Sequence, residues 1–471
     1  MQAGRTRYLM IGTAIILVFM LTGAYGDSGT EAVETTPMMI SANDTGAQRI
    51  DYQALSLEDC LSLARKDNPV LSGATERIRE LVADYQAAKS RFFPRLALAS
   101  TYERTNPDRL SPAGGLATQP LFKEEALALV TGQQLLYDGG KTNHSTRAAK
   151  IGAEAQRQDV RRISDAVAFA VTEAFYRLIE AKENLRVTRE ALRERQDFAT
   201  LAEAFFKAGK VTRLDSFRAG SQVSQVELAM VEAENAVGLA GKILARSIGL
   251  RENVPLDIIG GLPDEFTRAP DFDALWQEAL KANPELKRLD LEIEQSQALI
   301  KAARGAYFPE ISLQGGVGVR HYDLGGTKGE WLVGVFVEFP FFDGGLTKAQ
   351  VGKASSQYLQ SLENKRDRLD GLKVDLASAR QDQENAGCGI AATRQIVAAN
   401  EEAYASAQSL FRNGKAIGLD VLQAQLDLTG SRLSSIRYKV AYQVARARIE
   451  QIIGSGLSES YRQTNIGGQG R

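Results

Sequence analysis

Apolar positions along the chain follow two periods. Between Gly140 and Gly209, and again between Gly345 and Gly414, no proline interrupts. Apolar residues recur there at coiled-coil spacing: Val160, Ile163, Val167, Ala170 and Ala174, then Leu369, Leu372, Leu376 and Ala379. Such spacing keeps one stripe on one helix face. At about 1.5 Å per residue each stretch predicts a helix of roughly 100 Å. Gly209 and Gly414 are the expected C-caps, and a returning helix then runs to Ile248-Gly249 or Ile453-Gly454. Elsewhere the period is two. Ile311, Leu313, Val317 and Val319 alternate with Ser312, Gln314, Gly318 and Arg320; Trp331, Val333, Val335, Val337 and Phe339 alternate across a Gly-rich turn. These predict two strands, repeated more weakly over 95–104 and 126–137. Each is about 9–12 residues long, enough for a tilted membrane-spanning strand.

The chain contains itself twice. Asn68-Pro69 returns 215 residues later as Asn283-Pro284, and Phe93-Pro94 returns at the same offset as Phe308-Pro309. Asp138-Gly139-Gly140 returns 205 residues later as Asp343-Gly344-Gly345, and Phe206 to Lys210 returns as Phe411 to Lys415. Asp215 matches Asp420. The ten-residue difference falls in an insertion around residues 106–120 of the first copy. Constant offsets mark a duplicated unit. The copies span 55–250 and 271–455, joined by a linker over 251–270 that carries Pro255, Gly260-Gly261, Pro263 and Pro270. Each copy opens with a helix of some 35 residues, N-capped at Ser56 or Asp271, kinked at Asn-Pro and ended by Phe-Pro. Asp138 and Asp343, with their double glycines, are expected to turn strand into helix.

The N-terminus adds an address. Arg5 and Arg7 precede an apolar run ending near Leu21, followed by Thr22-Gly23-Ala24-Tyr25-Gly26. This has the form of a signal peptide over 1–26, cleaved after Gly26, with an N-terminal extension over 27–54 and a C-terminal tail over 456–471. The apolar run is short of the roughly 20 residues a membrane helix needs, and Cys60 lies too far downstream for lipoprotein processing.

Composition removes other classes. The 57 Lys+Arg nearly cancel the 58 Asp+Glu, so no basic face for nucleic acid is expected. Two cysteines, Cys60 and Cys388, and two histidines, His144 and His321, build neither a disulfide framework nor a metal centre. No nucleophile–base pair or phosphate loop stands out, so no cofactor and no enzyme activity are expected.

Four strands cannot close a membrane barrel alone, because single-chain bacterial barrels start at about eight and open edges are not tolerated in lipid. Either the strands are not a membrane barrel or several chains pool them. The doubled Asn-Pro, Phe-Pro and Asp-Gly-Gly markers, with the hairpin motif Phe206…Gly209…Asp215 and Phe411…Gly414…Asp420, resemble the TolC family of outer-membrane efflux proteins. The resemblance covers nearly the whole mature chain. It implies a mainly α fold with a small β part: long antiparallel coiled-coil helices forming an α-barrel, with four strands per chain completing a trimeric 12-stranded transmembrane β-barrel. It implies a homotrimer in outer-membrane lipid, a large periplasmic portion, and a passive duct. The expected partners are a periplasmic adaptor (membrane fusion) protein and an inner-membrane efflux pump or ABC transporter. A duct for type I protein secretion or metal export is an alternative within the family; a non-pore periplasmic coiled-coil scaffold is one outside it.

The resemblance also assigns site residues. Asp420 matches a ring position at the tunnel entrance. A second aspartate position is Gln423 here, a linking tyrosine is Phe411 and a linking arginine is Ala416, so the family's polar lock is not expected in that form. Gly209, Lys210, Asp215, Gly414 and Lys415 are expected at the periplasmic hairpin tips, facing the adaptor. The bare residues offer a second role for Asp420 and Asp215, as helix caps.

Overall fold

The computed structural model describes residues 54–104, 124–250, 256–263, 266–267, 270–322 and 326–454. The expected signal peptide, nearly all of the N-terminal extension, the insertion around 106–120 and the C-terminal tail lie outside them. Within them the elements fall into two matched sets. The first is α1 (Leu57–Asp67), α2 (Pro69–Ser90), β1 (Arg95–Arg104), β2 (Glu124–Tyr137), α3 (Lys141–Lys207) and α4 (Arg213–Ile248). The second is α5 (Phe272–Ala282), α6 (Pro284–Gly305), β3 (Glu310–Tyr322), β4 (Gly326–Glu338), α7 (Leu346–Arg412) and α8 (Gly418–Ile453). Set for set, the helices have 11, 22, 67 and 36 residues. The chain is mainly helical with one small antiparallel sheet.

The sheet runs β1-β2-β3-β4 in chain order. β2 and β3 join the two sets, with Val130 opposite Val317. A bulge between Leu135 and Tyr137 ends the regular register near the helices. β1 and β4 are each paired on one side only.

The Asn-Pro kinks are built alike. At Asn68 the side-chain oxygen accepts from the Val70 N–H (2.9 Å), while its amide donates to the Ser247 carbonyl at the end of α4 (2.8 Å). At Asn283 the oxygen accepts from Glu285 and Leu286 (2.8 and 3.1 Å), and the amide donates to Ile452 at the end of α8 (2.6 Å). One residue thus caps the second helix and ties it to the hairpin's far end. The pyrrolidine beside it lacks an N–H, which costs nothing at a first helical position. Gly249 and Gly454 close the returning helices at φ +94° and +78°. A Cβ on Gly249 would sit 2.5 Å from the Asp67 carbonyl, and one on Gly454 2.6 Å from the Pro284 ring. Both the backbone angle and the close approach demand glycine.

These ties cross the middle of the long helices, where the main core lies. Cys60, Leu61 and Ala64 of α1 meet Val171, Phe175 and Leu178 of α3, Leu244 and Ile248 of α4, and Val440 and Ala447 of α8. Leu256 and Ile258 of the linker pack on the same core, Ile258 pairs with Leu55 in a parallel bridge, and Asp257 pairs with Lys182. The seam expected through Ala170 passes through Val171 instead, and Ala170 is exposed. At this level α3 is flanked by α1, α4 and α8, so a broad face including Ala168, Val171, Ala174 and Phe175 is covered, not a two-helix stripe. In α7, Leu372, Leu376 and Ala379 are buried as expected.

Asn283→Ala should lower stability by about 2 kcal/mol, because it deletes a cap and orphans a buried carbonyl. Thermal unfolding of the detergent-solubilised protein measures it; an unshifted midpoint would remove the tie from the account. A second outcome concerns Asp165 on α3. Burial pushes its carboxyl from 3.8 up to about 6, and Arg65 pulls the other way. The charged form therefore costs stability at neutral pH, and the cost disappears as pH falls through 6 toward 3.8. Asp165→Asn should melt higher than the native protein at pH 7 and alike at pH 4.

Candidate pore faces and hairpin tips

Alternation divides the sheet into two unlike faces. The register puts Leu96, Leu98 and Tyr102 of β1 with Ala126, Ala128 and Val130 of β2, Leu313, Val317 and Val319 of β3, and Trp331, Val333, Val335 and Val337 of β4. This face is apolar and uncovered; Trp331 is 79% exposed. Its charged strand residues, Arg104 and Glu124, pair with each other at the loop end (3.6 Å). The opposite face holds Arg95, Glu103, Glu125, Glu310, Arg320, Lys328, Glu330 and Glu338. An exposed apolar patch of this extent marks contact with another protein or with lipid, and apart from that pair its strand residues carry no charge.

At the helix end of the sheet stand Phe92, Phe93, Tyr137, Tyr307, Phe308, Phe339, Phe341 and Phe342, all exposed, Phe341 at 91% and Phe342 at 84%. Aromatic rings of this kind gather where a membrane meets water. In the sequence Phe93-Pro94 and Phe308-Pro309 read as helix stops and Phe339 as a strand position; Phe92, Tyr307, Phe341 and Phe342 are given no role there.

The strand-to-helix turns are equivalent. Asp138 Oδ2 accepts from the Thr142 N–H (2.7 Å) and Asp343 Oδ2 from Thr347 (2.8 Å). Hydrogen bonds from Thr347 and nearby backbone hold the Asp343 carboxyl below its ordinary range. Gly139, Gly140, Gly344 and Gly345 all have positive φ. They differ in surroundings: a Cβ on Gly139 would lie 2.4 Å from the Gly305 carbonyl of α6, while Gly344 and Gly345 face open space within this chain.

At the other end of the long helices are the tips. The Lys210 N–H donates to Phe205 and Gly209 to Phe206; Lys415 donates to Leu410 and Gly414 to Phe411. Both tips are thus Schellman caps, with glycine at φ +68° and +69°. Asp215 accepts from the Thr212 N–H (3.1 Å) and its hydroxyl (2.7 Å). Asp420 accepts from the Ile417 N–H (3.1 Å). Both aspartates cap. Asp420, Lys210 and Lys415 are exposed, and the Lys210 ammonium lies over the Phe205 ring (5.3 Å). Gln423 is exposed and donates to Asp427 (2.9 Å).

Phe411 is elsewhere than the surface. It is 2% exposed, packed on Phe198 and Phe205 at 5.2 and 5.5 Å, with Ala202, Ala219, Val421 and Leu422 around it. This cluster draws on α3, α4, α7 and α8, so it fastens one hairpin to the other. Its repeat counterpart, Phe206, is exposed. Behind it Arg195 is buried and donates to Gln222 (3.0 Å), and burial lowers its pKa. Gln425 donates to the Glu194 carbonyl (3.2 Å) and the Tyr404 hydroxyl (3.1 Å). Arg432 reaches Glu401 (3.0 Å), Glu194 (3.7 Å) and Glu190 (3.9 Å). Isolated polar letters inside a coiled-coil stripe were the only signal for this network.

A family model described as "Outer membrane efflux protein" matches residues 60–250 and 275–455. The chain belongs to this family. Among curated relatives, the outer membrane efflux protein BepC of Brucella suis is 23% identical over 393 residues, covering 81% of each chain. The outer membrane protein OprJ of Pseudomonas aeruginosa is 23% identical over 477 residues, covering 95% of this chain and 96% of its own. The crystal structure of the open state of the MtrE outer membrane channel of Neisseria gonorrhoeae superposes with a TM-score of 0.72 at 21% identity, over 92% of this chain and 97% of that one. Membership in the outer membrane efflux protein family accords with the doubled helices and the two-faced sheet. Among the described residues no helix is long and apolar enough to cross a membrane and no group of side chains could hold a metal ion.

Phe411→Ala should cost about 3–5 kcal/mol in a cluster this tight, read by thermal unfolding. The exposed Phe206→Ala should cost little. Equal effects at the two positions would remove the fastening role from Phe411.

Proposed function

We propose that the protein is an outer-membrane duct. Three copies close head to tail, pooling four strands each into a twelve-stranded barrel and their helices into a periplasmic tunnel. Substrates expelled by an inner-membrane pump enter through a periplasmic adaptor docked at the tips and leave passively through the barrel. Asp420, with Gln423 and Phe411 near it, belongs to the entrance; Gly209, Lys210, Asp215, Gly414 and Lys415 belong to the docking tips. Family membership and the names of the relatives support the efflux reading.

The observation that carries the assembly is an interface present once where the repeat calls for it twice. α3 of the first set packs against α6 and α8 of the second. The counterpart of that packing is α7 against α2 and α4, and nothing comparable occurs within the chain. α4 exposes Leu214, Phe217, Leu228, Val231, Leu239 and Ile243 instead, and α7 exposes Leu359, Val374 and Ile396. The sheet is likewise left with two unpaired edges. A surface on one side that fits the opposite side of an identical copy makes a ring when the rotation closes.

The repeat also supplies the register of a test. A Cβ on Gly152 of α3 would lie 2.7 Å from Gln295 of α6. The matched positions are Gln357 and Glu80, both exposed. The double variant Glu80→Cys/Gln357→Cys, in a Cys388→Ser background, should oxidise to linked dimers and trimers on a denaturing gel and to nothing larger. Monomers alone, or a ladder beyond three, would sink the ring. For the tips, Gly414→Val and Gly209→Val strain a left-handed cap; export should fail while the trimer still forms.

A further inference from the structure

We infer that Arg320, held between Glu125 and Glu330, sets the ionic selectivity of the duct's outer mouth. The inference rests on the barrel reading above and adds a specificity-determining residue to it. With the uncovered apolar face toward lipid, the charged face lines the lumen. Its charges are not spread evenly. Glu103, Glu125, Arg320, Lys328 and Glu330 gather at the loop end, on four neighbouring strands. The Arg320 guanidinium bridges three of these strands: Nη1 is 2.8 Å from Glu125 on β2 and Nε 2.8 Å from Glu330 on β4. On the same face Leu127 and Leu129 stand in register with Arg320 and Glu330, and Leu332 comes next along it. An apolar wall beside a charged belt concentrates the belt's field on whatever passes.

The charge balance turns on Arg320. Among the described strand residues at this end of the face, three carboxylates stand against two cations, a net charge of −1 per chain, which three copies would repeat around the axis. Loss of Arg320 alone doubles that excess and frees two carboxylates from their shared partner. Loss of Glu125 and Glu330 together reverses its sign. A guanidinium placed only to join strands would make sheet stability depend on it, but not the sign of the permeant ion.

The full chain is reconstituted in planar lipid bilayers under a potassium chloride gradient. An Asp420→Asn background removes carboxylates at the far end of the path. Arg320→Gln should raise the cation-to-anion permeability ratio severalfold. Glu125→Gln/Glu330→Gln should lower it severalfold, below the parent. Arg320→Lys keeps the charge and should keep the parent's ratio. Equal ratios in all variants, or an Arg320→Lys ratio matching Arg320→Gln, would overturn the inference while leaving the duct intact. A parent protein that forms no conducting channel at all would overturn the barrel reading and this inference with it.

Discussion

The sheet's two unpaired edges constrain everything else. Its apolar face carries Trp331, Val333, Val335 and Val337 in the open, which suits hydrocarbon. Hydrocarbon offers no hydrogen bonds, so under the proposed barrel reading the outer N–H and C=O rows of β1 and β4 would need partners on another chain. On that reading a single copy could not satisfy its own backbone in the surroundings that suit its side chains. The long helices inherit the same incompleteness, since α4 and α7 expose apolar stripes where α8 and α3 are covered. Strands and helices ask for the same missing neighbour, and agreement between levels of structure is stronger than either demand alone.

Helices of 67 residues reach far beyond any one core, and their spacing has to be fixed somewhere. Asn68 and Asn283 do this where each kinked helix meets the end of its own hairpin. The amide spans to the returning helix while the carbonyl oxygen caps the next one. Gly249 and Gly454 let the two backbones approach closely enough for that reach. The linker adds a second tie on the same level: Tyr442 on α8 donates to the Thr267 carbonyl (2.7 Å) and accepts from the Thr267 N–H (3.0 Å). Between this girdle and the tips the hairpins are joined by the Arg432 network and the Phe411 cluster, and between it and the sheet by α2 and α6.

Features legible in the sequence were those that chain-local physics dictates. Proline, glycine and aspartate specify turns and caps through their own backbone chemistry, so Asn68-Pro69, Asp138-Gly139-Gly140 and Gly209 could be read one at a time. Period two separated the faces of β3 and β4, and the family resemblance carried the architecture. What escaped depends on distant neighbours. Ala170 fits a two-helix seam, but the arrival of α1 and α8 moved burial to Val171. Phe411 stands where the resemblance has a polar link, and only the approach of Phe198 and Phe205 from the other hairpin shows what an aromatic does there. Of the exposed aromatics at the sheet's base, Phe93 and Phe308 read as helix stops because Phe-Pro says that much by itself, and Phe339 as one more strand position.

Departures from the repeat are as informative as its matches. Where both copies do the same job, they keep the same chemistry: the two Asn kinks, the two αL glycines closing the returning helices, the two aspartates receiving the long helices. At the tips they diverge. The first has a full Thr212–Asp215 capping box, and the second has Ile417 in place of the threonine. The first exposes Phe206, and the second turns Phe411 inward onto its sister hairpin. In a ring built from alternating copies the two hairpins would occupy unlike positions at the narrow end. The second hairpin is fastened to the first by aromatic packing at the tip and, further back, by Arg432 to Glu190 and Glu194, so separating them exposes apolar surface and breaks ion pairs. The apolar part of that barrier is short-ranged and little affected by salt, while the ion pairs behind it are screened.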